Sequence, residues 1–143
     1  MSLRLARMLP LLALAACSGP VFLLPGGRLD GQSRSAPADW TFAGASGTAQ
    51  LETRPEHPYS VNLAFTILDG ALYVNVGGTE TQWVENMTRN PLVRLRLEGA
   101  LYDLRAERVM DRGEILAFAK AWNAQSFFRR DPAGFDEVWV YLP

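Results

Sequence analysis

The chain has 143 residues, enough for one domain, and a formal net charge of −1 at pH 7. Hydrophobic residues make up 48% of it and charged residues 20%, which is the composition of an ordinary globular protein. The balanced charge argues against a nucleic-acid-binding protein and against an acidic disordered tail.

The N-terminus has the pattern of a secretory signal over residues 1–16. Arg4 and Arg7 precede an apolar run, residues 8–16, that is too short to span a bilayer. The run ends in LAAC at residues 14–17, which resembles a bacterial lipobox, in which the signal is cut before Cys17 and its thiol is lipidated. Cys17 is the only cysteine, so no disulfide competes for it. The alternative is an ordinary signal peptide followed by a chance cysteine.

The residues after Cys17 predict a lipid-anchored tether. By resemblance to Gram-negative lipoproteins, Ser18 indicates sorting to the inner face of the outer membrane, toward the periplasm. Residues 17–38 mix Gly, Pro, Ser and Arg without a sustained period, as linkers do. Their apolar part, VFLLPGG, is expected to pack back on the domain or to lie near the membrane. The folded domain is predicted at residues 39–143.

Short alternating runs predict the first four strands. Residues 39–43 (DWTFA) and 48–54 (TAQLETR) form the first two, and the next run, from Tyr59, keeps one apolar face. An Asp-Gly pair at residues 69–70 then predicts a tight hairpin, because both positions need positive φ. The hairpin sets three apolar pairs on one face: Ile67 with Leu72, Phe65 with Val74, and Leu63 with Val76.

A second hairpin is predicted to turn at residues 99–100. That turn sets three inward pairs: Leu97 with Tyr102, Leu95 with Leu104, and Val93 with Ala106. On the outer face Arg96 meets Asp103, a favourable pair. Arg94 meets Arg105, which is unfavourable unless Asp103 or a bound anion screens the charges. The alternative is a solvated outer face.

Two helices and a last strand complete the predicted fold. Residues 79–90 begin with a capping-box pattern, TETQ, and end before Pro91. Residues 111–125 carry an apolar stripe that we interpret as core: Ile115, Phe118, Ala119 and Trp122. Residues 137–142 form the last strand. The predicted architecture is α+β, mostly β: a small antiparallel barrel of six or seven strands with two helices covering its openings.

The residue inventory argues against several kinds of catalytic site. His57 is the only histidine and Cys17 the only cysteine, so neither a His-based metal site nor a Cys–His or Ser–His–Asp arrangement is expected. No metal is therefore predicted. The acidic residues are scattered, and no spacing places two of them together on one rigid element.

The corner between the first hairpin and the first helix could hold an anion. Gly77 and Gly78 end a strand and feed a helix start, where free backbone N–H groups attract phosphate. Thr79 and Thr81 could add hydroxyl groups, and Arg54 could supply positive charge. The alternative is a purely steric corner, and Glu80 in the first turn opposes an anion.

Residues 53–109 resemble the split β-barrel flavin-binding superfamily of pyridoxamine-phosphate oxidases and deazaflavin-dependent reductases. Three stretches carry the resemblance: PYSVNLAFTILDGALYV, WVENMTRNPLVRLRL and YDLRAERV. They match the family's long hairpin, its helix that ends in Asn-Pro before a strand, and its return strand.

The resemblance implies a cofactor, a site and a dimer. FMN is the expected cofactor, with a deazaflavin or none as alternatives. Seven residues are carried over as cofactor-binding: Arg54, Tyr59, Asn62, Gly78, Thr79, Thr81 and Trp83. The family often has Lys or Arg before the helix, where this chain reads TETQW. A homodimer would place the cofactor at its interface, with Ala64, Leu68 and Tyr73 on the apolar face. The activity implied is an oxidoreductase, or a cofactor-free envelope module of the same fold.

Overall fold

The computed structural model describes residues 19–77 and 81–143, and in this part the chain forms one seven-stranded sheet. Its strands are β1 Ser33–Arg34, β2 Ser46–Thr53, β3 Tyr59–Leu68, β4 Ala71–Asn75, β5 Leu92–Leu97, β6 Ala100–Arg108 and β7 Val138–Leu142. Its α-helices are α1 Gln82–Arg89 and α2 Arg112–Gln125, and two 3₁₀ turns lie at Thr41–Ala43 and Pro132–Gly134.

Six strands close into an antiparallel barrel in the order β6-β5-β2-β3-β4-β7, with β7 returning to β6. On the side away from β5, strand β6 pairs with two neighbours. From Arg105 onward it pairs with β7, whereas its first half pairs in parallel with β1 through Leu101 and Tyr102. The predicted fold class, a small α+β barrel with two covering helices, is confirmed.

The β3–β4 hairpin has the predicted turn and register. Ile67 pairs with Leu72, and Asp69 and Gly70 have φ values of 49° and 76°. Both central residues are therefore left-handed, as a two-residue turn that follows the strand twist requires. An apolar alternation and an Asp-Gly pair were sufficient to define this hairpin.

The turn of the β5–β6 hairpin lies one residue earlier than predicted, which shifts the register of its strands by two residues. The turn lies at Glu98 and Gly99, with φ values of 48° and 79°, so Leu97 pairs with Ala100. Either turn puts one residue with a Cβ, Glu98 or Ala100, in the left-handed region beside Gly99, at a cost of about 1–2 kcal/mol. In this structure Glu98 takes that conformation.

This register corrects the predicted charge pairs. Arg94 lies opposite Asp103, Arg96 opposite Leu101, and Arg105 opposite Leu92. The predicted pairs Arg96–Asp103 and Arg94–Arg105 are wrong, and no repulsive arginine pair on these strands calls for a bound anion.

Replacing Glu98 with Asn should raise the free energy of unfolding by about 0.5–1 kcal/mol, because Asn tolerates the left-handed region that Glu occupies at a cost. Urea unfolding followed by circular dichroism measures the change. Asp69→Asn, at the equivalent position of the β3–β4 turn, is the matched control and should change stability much less. A loss of stability in Glu98→Asn would contradict the assignment of strain to this turn.

The predicted strand at residues 39–43 is wrong. The Asp39 carboxylate accepts a hydrogen bond from the Thr41 backbone N–H at 2.7 Å, and Thr41–Ala43 form a 3₁₀ turn. That backbone hydrogen bond also lowers the pKa of Asp39. A short acidic side chain that bonds its own backbone competes with strand pairing. Trp40, the apolar residue of this segment, is nevertheless buried in the core.

Both helices have the predicted ends wherever the structure describes them. Helix α1 ends at Arg89, and Asn90 caps it before Pro91. Helix α2 begins at Arg112, and the carboxylate of Asp111 accepts a hydrogen bond from the Glu114 N–H at 2.8 Å. The predicted start of α1 at Thr79, with its capping box, lies outside the described residues.

Two apolar clusters stabilise the domain. One fills the barrel, where Leu51, Leu72 and Leu95 are fully buried. The other lies between α2 and the sheet and contains Phe118 and Phe135. The predicted helix stripe is thus core, with Trp122 partly buried beside it.

Part of the segment predicted as a tether packs against the barrel. Leu29 is fully buried, and its N–H donates to the carboxylate of Glu52 at 2.6 Å. Arg94 pairs with the same carboxylate at 3.1 Å and donates to the carbonyl of Gly31 at 3.0 Å. With the β1–β6 pairing, these contacts join the segment to the sheet. Within the described ranges, no helix is both long and apolar enough to cross a membrane.

Alkaline pH should weaken the fold through Tyr141. This side chain is 1% exposed, its hydroxyl donates to the Met87 sulfur at 3.4 Å, and burial raises its pKa far above the usual value. The unfolded chain loses this proton from about pH 10 and the folded chain keeps it. Tyr141 alone should therefore lower the free energy of unfolding by about 1.4 kcal/mol per pH unit above 10. Urea titrations between pH 8 and 11 measure this slope, and an identical slope in Tyr141→Phe would assign it to other groups.

Candidate functional site

A cavity of about 500 Å³ lies between β2, β3, β4 and the two helices. Its lining comes from strands and helices alike: Ser46, Gly47, Thr48, Leu63, Ala64, Phe65, Thr66, Tyr73, Val74, Asn75, Gly77, Trp83, Phe118, Trp122, Gln125 and Ser126. A volume of this size is within the range of small-molecule sites.

Aromatic side chains form much of the cavity wall. Five of them line it: Phe65, Tyr73, Trp83, Phe118 and Trp122. None of the described residues in the lining carries a charge. Aromatic walls favour flat, conjugated ligands, which they contact by stacked or edge-on ring packing.

One polar atom in this wall has no partner among the described residues. The Oδ1 atom of Asn75 is buried and accepts no hydrogen bond from them. A buried acceptor left unsatisfied costs about 1–3 kcal/mol, and native proteins retain few of them. Asn75 is the last residue of β4 and is one of the residues that line the cavity.

Tyr73 fixes one side of the cavity. Its hydroxyl donates to Glu114 Oε1 at 2.8 Å, which joins β4 to the first turn of α2. Burial, then the hydrogen bond and negative charge of Glu114, raise the pKa of Tyr73. The phenol consequently stays protonated over the physiological range and acts as a donor to Glu114.

A buried chain of hydrogen bonds positions α1, and with it Trp83. Asn86 donates to the Thr53 hydroxyl at 2.9 Å and accepts from Gln82 at 2.9 Å. The Thr53 hydroxyl donates in turn to the Tyr59 carbonyl at 3.3 Å. The helix is thus fixed to the end of the β2–β3 pair at which residues 54–58 connect the two strands.

The predicted cofactor residues are only partly brought together. Trp83 lines the large cavity, whereas Thr81 lines a second one, of about 420 Å³, with Arg89, Arg108 and Glu137. The Thr81 hydroxyl oxygen is buried and has no hydrogen-bond partner in the part of the chain that the structure describes. Gly78, Thr79 and Cys17, the predicted lipidation residue, lie outside the described residues.

The other three predicted residues bond elsewhere and are not in the lining of either cavity. Arg54 has a left-handed φ of 58°, its Nε donates to the His57 carbonyl at 2.6 Å, and its guanidinium lies 5.7 Å from the centre of the Tyr59 ring. Asn62 donates to the carbonyl oxygens of Phe22 at 3.0 Å and Pro20 at 3.4 Å.

Sequence reasoning missed most of the cavity. Asn75 was visible as one polar residue in the apolar run ALYVNV, and Asn is disfavoured in strands. Trp122 was correctly interpreted as part of the core stripe, but not as a cavity wall. Most of the remaining lining residues come from β2, β3, β4 and the two helices, which only the closed barrel brings close together.

Solved structures of similar shape are found among flavin-related and uncharacterised bacterial proteins. A FAD-binding protein from Mesorhizobium loti has a TM-score of 0.51 and 22% identity, over 66% of this chain and 79% of that one. A candidate pyridoxamine 5′-phosphate oxidase from Listeria innocua has a TM-score of 0.53 and 20% identity, over 67% and 82%. A conserved hypothetical protein from Mycobacterium tuberculosis has a TM-score of 0.56 and 18% identity, over 79% and 85%.

These likenesses establish the fold. The chain has a split-barrel fold. The sequence matches no protein-family model and no curated protein.

Proposed function

We propose that this protein binds a flavin-type ring in the large cavity and works at the bacterial cell envelope, held there by lipid on Cys17. Two features of the cavity support the ligand proposal: the five aromatic side chains in its wall and the unpartnered Oδ1 atom of Asn75. A flavin has a flat, conjugated ring with an imide N–H, which suits both features. The fold shared with a FAD-binding protein supports the proposal by analogy.

The described residues fit the ring of such a cofactor better than its phosphate. Trp83 and Trp122 would contact the ring faces or edges, and Asn75 would accept its N–H. No charged residue is among the described lining, and Arg54 already bonds to His57 and packs on Tyr59. When bound, a flavin supplies electron or hydride transfer, and this chain would orient the ring and shield it from water.

The envelope assignment rests on the sequence of the N-terminus. The run LAAC at residues 14–17 provides the small side chains for cleavage and the thiol for a diacylglyceryl thioether. Ser18 favours the outer membrane, with the domain facing the periplasm. Mass spectrometry of the mature chain tests this part, because a lipidated Cys17 adds the mass of its acyl groups.

A second candidate function is a cofactor-free envelope module of the same fold. The uncharged lining favours this module, because none of the described lining residues has a positive charge that would neutralise a cofactor phosphate. Both versions of the proposal include a homodimer. Its interface would be the face of the β3–β4 hairpin that carries exposed Ala64 and half-buried Leu68. Sedimentation with and without FMN tests this association.

The deciding experiment is a flavin titration with a blocked cavity as comparison. FMN, riboflavin and a deazaflavin are added to the purified protein, and quenching of their fluorescence is followed. We expect saturable binding of riboflavin and FMN with similar affinity, because the ring makes the contacts. Ala64 is exposed at the cavity wall, so Ala64→Trp should fill the space and abolish binding.

Ala117→Trp is the matched control, since Ala117 is exposed on α2 outside the cavity lining. It should bind like the unmodified protein. Absence of quenching with all three compounds would leave the cofactor-free module. Equal binding in Ala64→Trp and the unmodified protein would place the ligand elsewhere.

A further inference from the structure

Four consecutive apolar residues project from the barrel just after the proposed lipidation site. In this tip, Val21, Phe22, Leu23 and Leu24 are 50%, 87%, 97% and 69% exposed. Contiguous exposed apolar surface in a folded domain marks an interaction site rather than ordinary surface composition. We name these four residues the apolar tip.

The apolar tip is a defined turn. Val21 and Leu24 exchange two backbone hydrogen bonds of 3.1 and 2.8 Å. Phe22 between them has a left-handed φ of 51°, an uncommon conformation for an aromatic residue that other contacts must maintain. The fold therefore keeps the two most exposed side chains pointing away from its core at a conformational cost.

The base of the turn is bonded to the barrel. Gly26 exchanges two hydrogen bonds of 2.8 Å with Ser60 on β3, and Asn62 donates to the carbonyl of Phe22 at 3.0 Å. A Cβ on Gly26 would lie 2.4 Å from the carbonyl carbon of Gly19, so the two ends of the loop cross in close contact. The tip thus has a set orientation relative to the sheet.

Covalent geometry places the tip close to the lipid. Cys17 is two residues before Gly19, so their Cα atoms are separated by at most about 7 Å. Gly19 itself lies at the base of the loop, against Gly26. An acyl group on Cys17 would therefore bring the bilayer surface to the side of the barrel from which the apolar tip projects.

We propose that the apolar tip inserts into the lipid bilayer beside the lipidated Cys17, as a second contact that orients the barrel on the membrane. This inference rests on the lipid attachment in the proposed function. Stable, oriented anchoring commonly combines a lipid with a second membrane-binding element. Phe22 and Leu23 enter the boundary between headgroups and acyl chains, and the hydrogen bonds of Asn62 and Gly26 transmit that orientation to the barrel.

The test uses a single environment-sensitive label on the lipidated protein. Lipidation consumes the thiol of Cys17, so Leu23→Cys adds the one thiol that reacts with a nitrobenzoxadiazole dye. The protein is purified from membranes and reconstituted into vesicles of phosphatidylethanolamine and phosphatidylglycerol. We expect a blue-shifted emission and a loss of emission when lipids carrying a spin label on the acyl chain are included.

Met110→Cys is the matched control, because Met110 is an apolar residue that is 79% exposed on another connection. It should show neither signal. Unshifted emission at position 23 would overturn the proposal, as would equal signals at both positions. A blue shift without quenching by the spin-labelled lipid would assign the tip to a protein partner or a second copy.

A separate measurement, the mass of the mature chain, shows whether Cys17 is lipidated. If the mass of the mature chain shows no acyl group, the anchoring part of the proposed function is wrong. The Cys17→Ser, Leu23→Cys chain is then mixed with the same vesicles, and the same emission shift and quenching are measured. Signals there support insertion without a lipid, and their absence overturns it.

Discussion

Replacing Arg94 with Ala should lower the free energy of unfolding by about 3 kcal/mol, the largest loss we expect from any charged residue of the barrel. The carboxylate of Glu52 is 4% exposed and pairs with Arg94 at 3.1 Å. Without the guanidinium, the carboxylate keeps only the Leu29 N–H as a described partner and remains a buried charge. Urea unfolding measures the loss.

The same change should release the segment around β1. Arg94 also donates to the Ser33 hydroxyl at 3.1 Å and to the Gly31 carbonyl at 3.0 Å. Trypsin should therefore cut after Arg28 and Arg34 faster in Arg94→Ala than in the unmodified protein.

Two variants separate the buried charge from other effects. Arg105 is exposed on the neighbouring strand β6, so Arg105→Ala should change stability by less than about 0.5 kcal/mol. Replacing both partners, Glu52→Leu with Arg94→Met, should recover most of the loss, because no buried charge remains. A double variant as unstable as Arg94→Ala would mean that the contacts to Ser33 and Gly31 are the main contribution.

Replacing Asn75 with Leu should weaken flavin binding about tenfold while raising the stability of the ligand-free protein by about 1 kcal/mol. The unpartnered Oδ1 atom destabilises the fold when no ligand donates to it, and removing it relieves that cost. A residue retained at the expense of stability is typical of a binding site. Fluorescence titration and urea unfolding of the same preparation give both numbers.

Asn62→Leu distinguishes this cavity from the site that the sequence predicted. Asn62 donates to the carbonyls of Phe22 and Pro20, so its loss should loosen that loop and leave the affinity for flavin unchanged. If Asn62→Leu weakens binding and Asn75→Leu does not, the ligand lies near the predicted residues on β3. If Asn75→Leu lowers stability, its oxygen has a partner in solution.

Predictions from the sequence were right where the signal came from residues close together in the chain. The β3–β4 turn needed only Asp69, Gly70 and the alternation beside them, and it was right. The β5–β6 turn was displaced because glycine fits either position of such a turn, and the choice of Glu98 as its partner was not encoded by a turn residue. At residues 39–43 the alternation suggested a strand, but the Asp39 carboxylate accepts a hydrogen bond from the Thr41 backbone N–H, and the segment forms a 3₁₀ turn.

The structure brings the predicted site residues together only in part, for the same reason. Family-like positions placed Arg54, Tyr59 and Asn62 near a cofactor, yet their side-chain partners are the His57 carbonyl, the Arg54 guanidinium and the loop at residues 20–22. These partners depend on how a loop closes and where an N-terminal segment folds back. Trp83 does line the cavity, and its direction follows from the period of a short helix.

The sequence by itself determined the strand and helix pattern, the β3–β4 hairpin and the core stripe of α2, because these depend on neighbours within a few residues. It also supplied the lipidation prediction at Cys17. Only the tertiary structure decided that β6 divides its pairing between β1 and β7, that Glu52 and Arg94 bind the N-terminal segment, and that Asn75 lines an aromatic cavity. Closure of the barrel brings residues together that are far apart in the chain, and no local period encodes which of them will meet.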